Sequence, residues 1–195
     1  MRFTTILSGF WITNLLGFYV VSVCVASDFG TSGLIKTPSA RMQDDGSLRA
    51  TIGLDPLANK YNITYQATPW LETTFRYTIF NPSGKRASKD FERDRSYEAK
   101  IRLKSESQFS PQVALGVRDI LGTGLWEGEY LVATKMLKNL DLNLGLGWGR
   151  YADLGGYKNP LELFIDDFSD RPIRGSLGGR FGGASRSRSY FRGPV

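Results

Sequence analysis

Four carboxylates gather late in this chain: Glu162, Asp166, Asp167 and Asp170. Paired carboxylates hydrolyse glycosides when their spacing is right and one has a raised pKa, and clustered ones can hold calcium through hard oxygen ligands. Nothing in the surrounding sequence tunes one of these groups against another, so they read as a solvated acidic loop. Histidine is absent and the only cysteine is Cys24. That removes Ser-His-Asp and Cys-His catalysis and any zinc-ligand set. The run Gly145-Leu146-Gly147-Trp148-Gly149 has the look of a nucleotide-binding glycine cluster. It sits within an alternating strand pattern, not between a strand and a helix, so it reads as small residues on one strand face. Arg171, Arg174, Arg180, Arg186, Arg188 and Arg192 stand among Gly, Ser, Phe and Tyr. Such a segment can pair with an acidic polysaccharide or a lipid headgroup through guanidinium groups. The expectation is a protein with no catalytic residues, no cofactor and no metal, whose candidate contacts are these six arginines.

The N-terminus tells where the chain goes. Arg2 precedes an almost uncharged apolar run from Ile6 to Ala26, ending in the small residues of Cys24-Val25-Ala26. This is the layout of a secretory signal, with cleavage expected after Ala26. An uncut anchor and lipidation at Cys24 are the rival readings, and all three carry the rest of the chain out of the cytoplasm. That destination makes nucleic acid an unsuitable partner for the arginine-rich tail. The chain has 195 residues and a net charge of +6, and a basic surface suits polyanionic partners.

The elements that must position these groups are strands. Leu48–Leu54, Tyr61–Ala67, Leu71–Ile79, Tyr97–Leu103, Val113–Val117, Tyr130–Thr134 and Leu140–Trp148 alternate apolar with polar or small residues. Side chains on a strand point alternately to its two faces, so each segment has one greasy and one polar side. Turn chemistry separates them at Asp45-Gly46, Asp55-Pro56, Thr68-Pro69, Asn81-Pro82-Ser83-Gly84, Ser110-Pro111, Gly122-Thr123-Gly124 and Lys138-Asn139. About seven strands in an antiparallel meander follow. The charged stretch Lys85–Arg95 is expected to be a loop, and Leu161–Phe168 a short helix or strand.

Alternation alone fits two architectures. In a membrane barrel the apolar face meets lipid and the other lines an interior. In a soluble sheet the apolar face is core. Leu at every second position from Leu140 to Leu146, opposed by Asp141, Asn143, Gly145 and Gly147, favours the barrel. Trp70, Tyr77, Phe80, Tyr97, Trp126, Tyr130 and Trp148 near strand ends are expected to form interface girdles. An odd strand count leaves open edges. A strand from the tail, assembly with copies, or membership of a longer barrel would close them.

The stretch from Asp28 to Met42 (DFGTSGLIKTPSARM), closed by Asp45-Gly46, resembles the start of YjbH-family proteins. So do Val113–Gly124, Glu129–Lys135 and Leu144–Arg150. The resemblance spans roughly Ser27 to Gly193. It implies an all-β outer-membrane barrel protein, some members being lipoproteins, linked to exopolysaccharide or capsule production. The expected organisation is a signal peptide over 1–26, an antiparallel meander over 27–154 and a Gly/Arg/Ser-rich tail over 155–195. The expected function is non-enzymatic help in polysaccharide export from the outer membrane. Expected partners are membrane lipid, exopolysaccharide and other export proteins. The alternative is a soluble periplasmic β-domain that binds a partner or an acidic polysaccharide.

Overall fold

A computed structural model describes residues 26–81, 93–122, 124, 126–152, 156–171 and 190–195. The signal expected over 1–26 therefore lies, but for Ala26, outside the described residues. Seven strands form one antiparallel meander in sequence order: β3 (Leu48–Leu54), β4 (Ala58–Thr68), β5 (Leu71–Phe80), β6 (Arg93–Lys104), β7 (Gln112–Ile120), β8 (Gly128–Leu137) and β9 (Leu140–Gly149). Ahead of them, β1 (Gly33–Leu34) and β2 (Thr37–Pro38) make a separate small hairpin. Each of the seven segments that the alternation predicts is a strand of the large sheet. Glycine helps enter β3, where Gly46 takes φ +72; without a Cβ it pays no steric cost there. Between β8 and β9 the two-residue turn uses Lys138 at φ 56.

The sheet buries its polar face. Thr64, Gln66, Glu72, Arg76, Ser96 and Lys100 are each 0% exposed and Glu98 1%, whereas Leu144 is 79% and Ile52 is 65% exposed. Inward residues fall in matched register rows, such as Lys60, Thr78 and Asp94 across β4, β5 and β6. Outward positions carry Tyr61, Ile63, Tyr65, Ile101 and Leu103, all exposed. This is the reverse of a water-soluble sheet, where the apolar side is the buried one.

The sheet curls around the segment Ser27–Gln43. That segment bonds to inward side chains of every strand from β3 to β9, which a flat sheet could not arrange. The result is a half-barrel whose interior is filled by its own N-terminal strap.

Two expectations need correction. The charged stretch Lys85–Arg95 is not all loop: Arg93–Arg95 open β6, and 82–92 lie outside the described residues. Among the girdle aromatics, Tyr130 points inward and is buried, Phe80 and Trp126 stack at the inner end with centroids 6.4 Å apart, and Trp148 is covered by Phe191 at 5.2 Å. Trp70 and Tyr97 do face outward and are half exposed. Of the two forms expected for Leu161–Phe168, a short helix or a strand, the structure shows the first, as two 3-10 helices, Pro160–Leu163 and Asp166–Phe168.

Candidate functional site

The polar interior and its strap are the most elaborated part of the molecule. At its centre Glu98 of β6 receives hydrogen bonds from Arg76 of β5 at 2.8 Å, from Arg118 of β7 at 2.9 Å and from the Tyr130 hydroxyl of β8 at 3.1 Å. The register puts Glu98 opposite Arg118 on one side and one row from Arg76 on the other. Both strands thus supply a cation to one carboxylate. Charges this deep persist only when paired; beyond these bonds, Arg76 Nε and Arg118 Nη2 have no hydrogen-bond partner among the described residues. One row on, Lys100 meets Glu72 at 2.8 Å.

The strap uses these groups as backbone partners. Glu72 accepts from the Ser32 amide at 3.0 Å and the Ser32 hydroxyl at 2.6 Å. Lys100 donates to the Ser32 carbonyl at 3.3 Å and the Arg41 carbonyl at 2.8 Å. Arg76 donates to the Phe29 carbonyl, Thr64 and Arg49 to the Gly30 carbonyl, and Asn62 to the Asp28 carbonyl. Farther along, Gln112 donates to the Ala40 carbonyl, Thr134 accepts from the Ala40 amide, and Asn143 donates to the Pro38 carbonyl. A buried irregular segment has backbone groups that the sheet ladder cannot serve. Here the inward side chains serve them instead.

Phe29 anchors the strap. The Arg118 guanidinium lies 3.8 Å from its ring centroid, Arg76 4.7 Å and the Lys60 ammonium 4.9 Å, with Trp126 edge-on at 5.4 Å. Cations over an aromatic face away from water gain more than exposed ones. Two glycines permit the close fit. A Cβ on Gly30 would lie 2.5 Å from Asn62 Cβ, and one on Gly33 2.4 Å from the Thr37 carbonyl oxygen.

The glycine run of β9 has a packing role. Tyr151 folds back over β9: a Cβ on Gly147 would sit 2.4 Å from Tyr151 Cβ. Tyr151 then meets Tyr130 at 5.6 Å and Arg118 at 4.8 Å. Tyr130 in turn lies where a Cβ on Gly116 would be. Small inward residues thus give room to two large ones.

The strap's end is held by charge. Arg41 pairs with Asp141 of β9 and with Glu106 of the β6–β7 loop. The hydrogen bond from Arg41, then those from the Met136 amide and Lys135, pull the Glu106 carboxyl down to about 2. Midway along the strap, in the turn between β1 and β2, Lys36 meets Asp55 at 2.8 Å. This bond lowers the Asp55 carboxyl and raises the Lys36 ammonium.

Of the six arginines, Arg171 and Arg192 are described, and Arg171 donates to the Arg192 carbonyl at 3.5 Å. Arg171 is spent on Glu127 and Glu129, and Arg192 on Asp167. Arg174, Arg180, Arg186 and Arg188 lie outside the described residues. Glu129 points to the outer side of β8, yet it is fully buried beneath Arg171 and the Phe191 amide. In the acidic cluster, Glu162 closes a capping box on Asn159. Among the described residues no group of three or more Cys, Asp or Glu is arranged to hold a metal ion.

The sequence reasoning did not find the strap. Its one available signal was the opposite face: a row of Asn62, Thr64, Gln66, Glu72, Arg76 and Lys100 is too rich in bonding groups to stay unserved.

Comparison with known proteins agrees with this architecture's starting motif. The model of the family described as exopolysaccharide biosynthesis protein YbjH matches residues 25–195. A relative from Escherichia coli (strain K12), an uncharacterized lipoprotein YjbH, is 39% identical over 174 residues, which cover 87% of this chain and 24% of the relative. The chain thus spans about a quarter of that relative's length. No solved structure matches. With the strap's opening motif, the seven strands and the tail all inside the matched region, the chain belongs to the YjbH family of exopolysaccharide biosynthesis proteins.

Proposed function

We propose that this chain forms part of the wall of an outer-membrane β-barrel that assists exopolysaccharide production or export without catalysing a reaction. The observation that carries this reading is the inverted sheet. Its apolar side chains face outward and exposed while charged ones are sealed inside. Water would penalise that arrangement, and lipid rewards it. Strand length agrees. Ten residues of β9 rise about 34 Å along the strand, and about 26 Å across a membrane at the usual tilt. That matches an apolar band roughly 25 Å tall.

With Ser27–Gln43 seated, the inner face is committed to the strap. This part of the protein therefore acts as a filled wall and not as an open channel. Contact with an acidic polymer falls to basic loops, for which the arginine-rich tail supplies the charge.

The test is Leu144→Arg. A cation at the lipid-facing midplane costs about 2–4 kcal/mol. The variant is expected to leave the carbonate-resistant outer-membrane fraction and to abolish polymer at the cell surface. A variant that stays in that fraction like the parent would reject the barrel. Asp166→Asn with Asp167→Asn is expected to leave polymer yield unchanged; loss of polymer with normal assembly would instead support an enzyme.

A further inference from the structure

An apolar ring, that of Phe29, occupies one of the most highly charged places in the interior. Arg118, Arg76 and Lys60 lie 3.8, 4.7 and 4.9 Å from its centroid. None of the three is more than 3% exposed. Among the described residues Glu98 is the carboxylate that bonds to this trio, and it reaches only the two arginines. Asp94 and Asp119 stand at the same end, where Asp119 accepts from the Trp126 amide at 3.1 Å.

The donors near the ring are short of acceptors. Arg76 Nε, Arg118 Nη2, Trp126 Nε1 and the Tyr151 hydroxyl are buried with no hydrogen-bond partner among the described residues. Trp126 is edge-on to Phe29 at 5.4 Å, and Tyr151 lies 4.8 Å from Arg118. All four therefore belong to one neighbourhood. Buried polar groups are ordinarily bonded, and a hydrocarbon ring offers them only its π face. An occupant rich in acceptor oxygens, above all a carboxylate, would meet them with charge-assisted bonds.

The ring rides on a short bend. The Ser27 amide donates to the Thr31 carbonyl at 2.9 Å and the Gly30 amide to the Ser27 carbonyl at 2.8 Å, so residues 27–31 close on themselves. Just beyond, Ser32 has its own hold on Glu72 and Lys100. Lifting the bend alone clears the place of the ring. It also releases Arg76, Thr64 and Asn62 from the carbonyls of Phe29, Gly30 and Asp28. Sugar hydroxyls and a carboxylate can take over those donors, and Trp126 remains as an aromatic wall for a sugar ring.

Resting on the exopolysaccharide reading above, we infer that the Phe29 socket is a binding site for a uronic-acid residue of a polysaccharide, with the Phe29 ring as its displaceable cover.

Calorimetry on the full chain in detergent micelles tests this with tetragalacturonate, a uronic-acid tetramer, and with maltotetraose, a neutral tetramer. Phe29→Ala removes the cover. It is expected to bind tetragalacturonate at least about tenfold more tightly than the parent, on the order of one charge-assisted hydrogen bond. Maltotetraose is expected to gain nothing, and Lys60→Gln added to Phe29→Ala is expected to cancel the gain. In the unsubstituted chain, saturating tetragalacturonate is expected to speed protease cleavage between Ser27 and Thr31, which reads displacement of the bend without any substitution. Equal affinity of the parent and Phe29→Ala, an equal gain for maltotetraose, a gain that survives Lys60→Gln, or cleavage unchanged by the uronic-acid tetramer would overturn the inference. Such a failure would leave the barrel reading standing, because Leu144→Arg tests that reading in membranes and without any saccharide.

Discussion

Replacing Glu98 with Gln keeps the shape of the interior and removes one charge. Arg76 and Arg118 both rely on that carboxylate, at 2.8 and 2.9 Å, and the side chains are 0% and 4% exposed. Breaking a buried pair by removing one partner costs about 3–5 kcal/mol, because the other charge is left uncompensated. Gln keeps one acceptor oxygen for an arginine or for Tyr130, which favours the lower end. A loss of about 3 kcal/mol lowers the folding constant roughly a hundredfold. The assay is reversible urea unfolding in detergent micelles, followed by tryptophan fluorescence, with Asp166→Asn as an exposed-carboxylate control expected within about 0.5 kcal/mol of the parent. The slope should be unchanged and the midpoint lowered. A Glu98→Gln midpoint equal to that of the parent would mean that water reaches the pair, and the sealed interior would be wrong.

Gly30→Ala should loosen the strap: Gly30 sits at φ +90 and its added Cβ would press on Asn62 and Thr74. A cost of about 1–3 kcal/mol is expected from the backbone alone, seen as faster protease cleavage within Ser27–Gln43 at unchanged strand content. Acid should act on the strap's other end. The Glu106 carboxyl is held at about 2, against an ordinary 4.5. A depressed carboxyl contributes stability that is fully present above its ordinary value and lost as pH falls towards the depressed one. The difference in unfolding stability between the parent and Glu106→Gln should therefore be constant above about pH 4.5 and shrink to nothing near pH 2; a difference independent of pH would show that the Arg41 pair contributes nothing.

The seven strands were legible because lipid-type alternation is a local signal: Leu140, Leu142, Leu144 and Leu146 declare both the strand and its outward face. Glycines opposite them were legible as inner-face residues, though not their reason, since Tyr151 must turn back before Gly147 is needed. The strap was not legible. Ser27–Gln43 holds its place through backbone groups served by side chains as distant as Asn143, and no period in its own residues reports that. Tyr130 and Phe80 were placed outward as girdle residues because strand ends attract aromatics. Register decides otherwise, setting Tyr130 across from Gly116 and Phe80 across from Ala58. The burial of Glu129 on the outer side depends on Arg171, 42 residues away, a distance beyond any local pattern.

The claim that the greasy side meets lipid and the charged side does not is tested most directly along β6. Single cysteines are placed from Ser96 to Leu103 in a Cys24→Ser background, spin-labelled, and reconstituted in vesicles. Collision rates with oxygen, which concentrates in lipid, and with a water-soluble nickel chelate are then compared. Oxygen access should peak at positions 97, 99, 101 and 103, with 96, 98 and 100 shielded from both reagents. Peaks at the even positions, or nickel access at the odd ones, would contradict it.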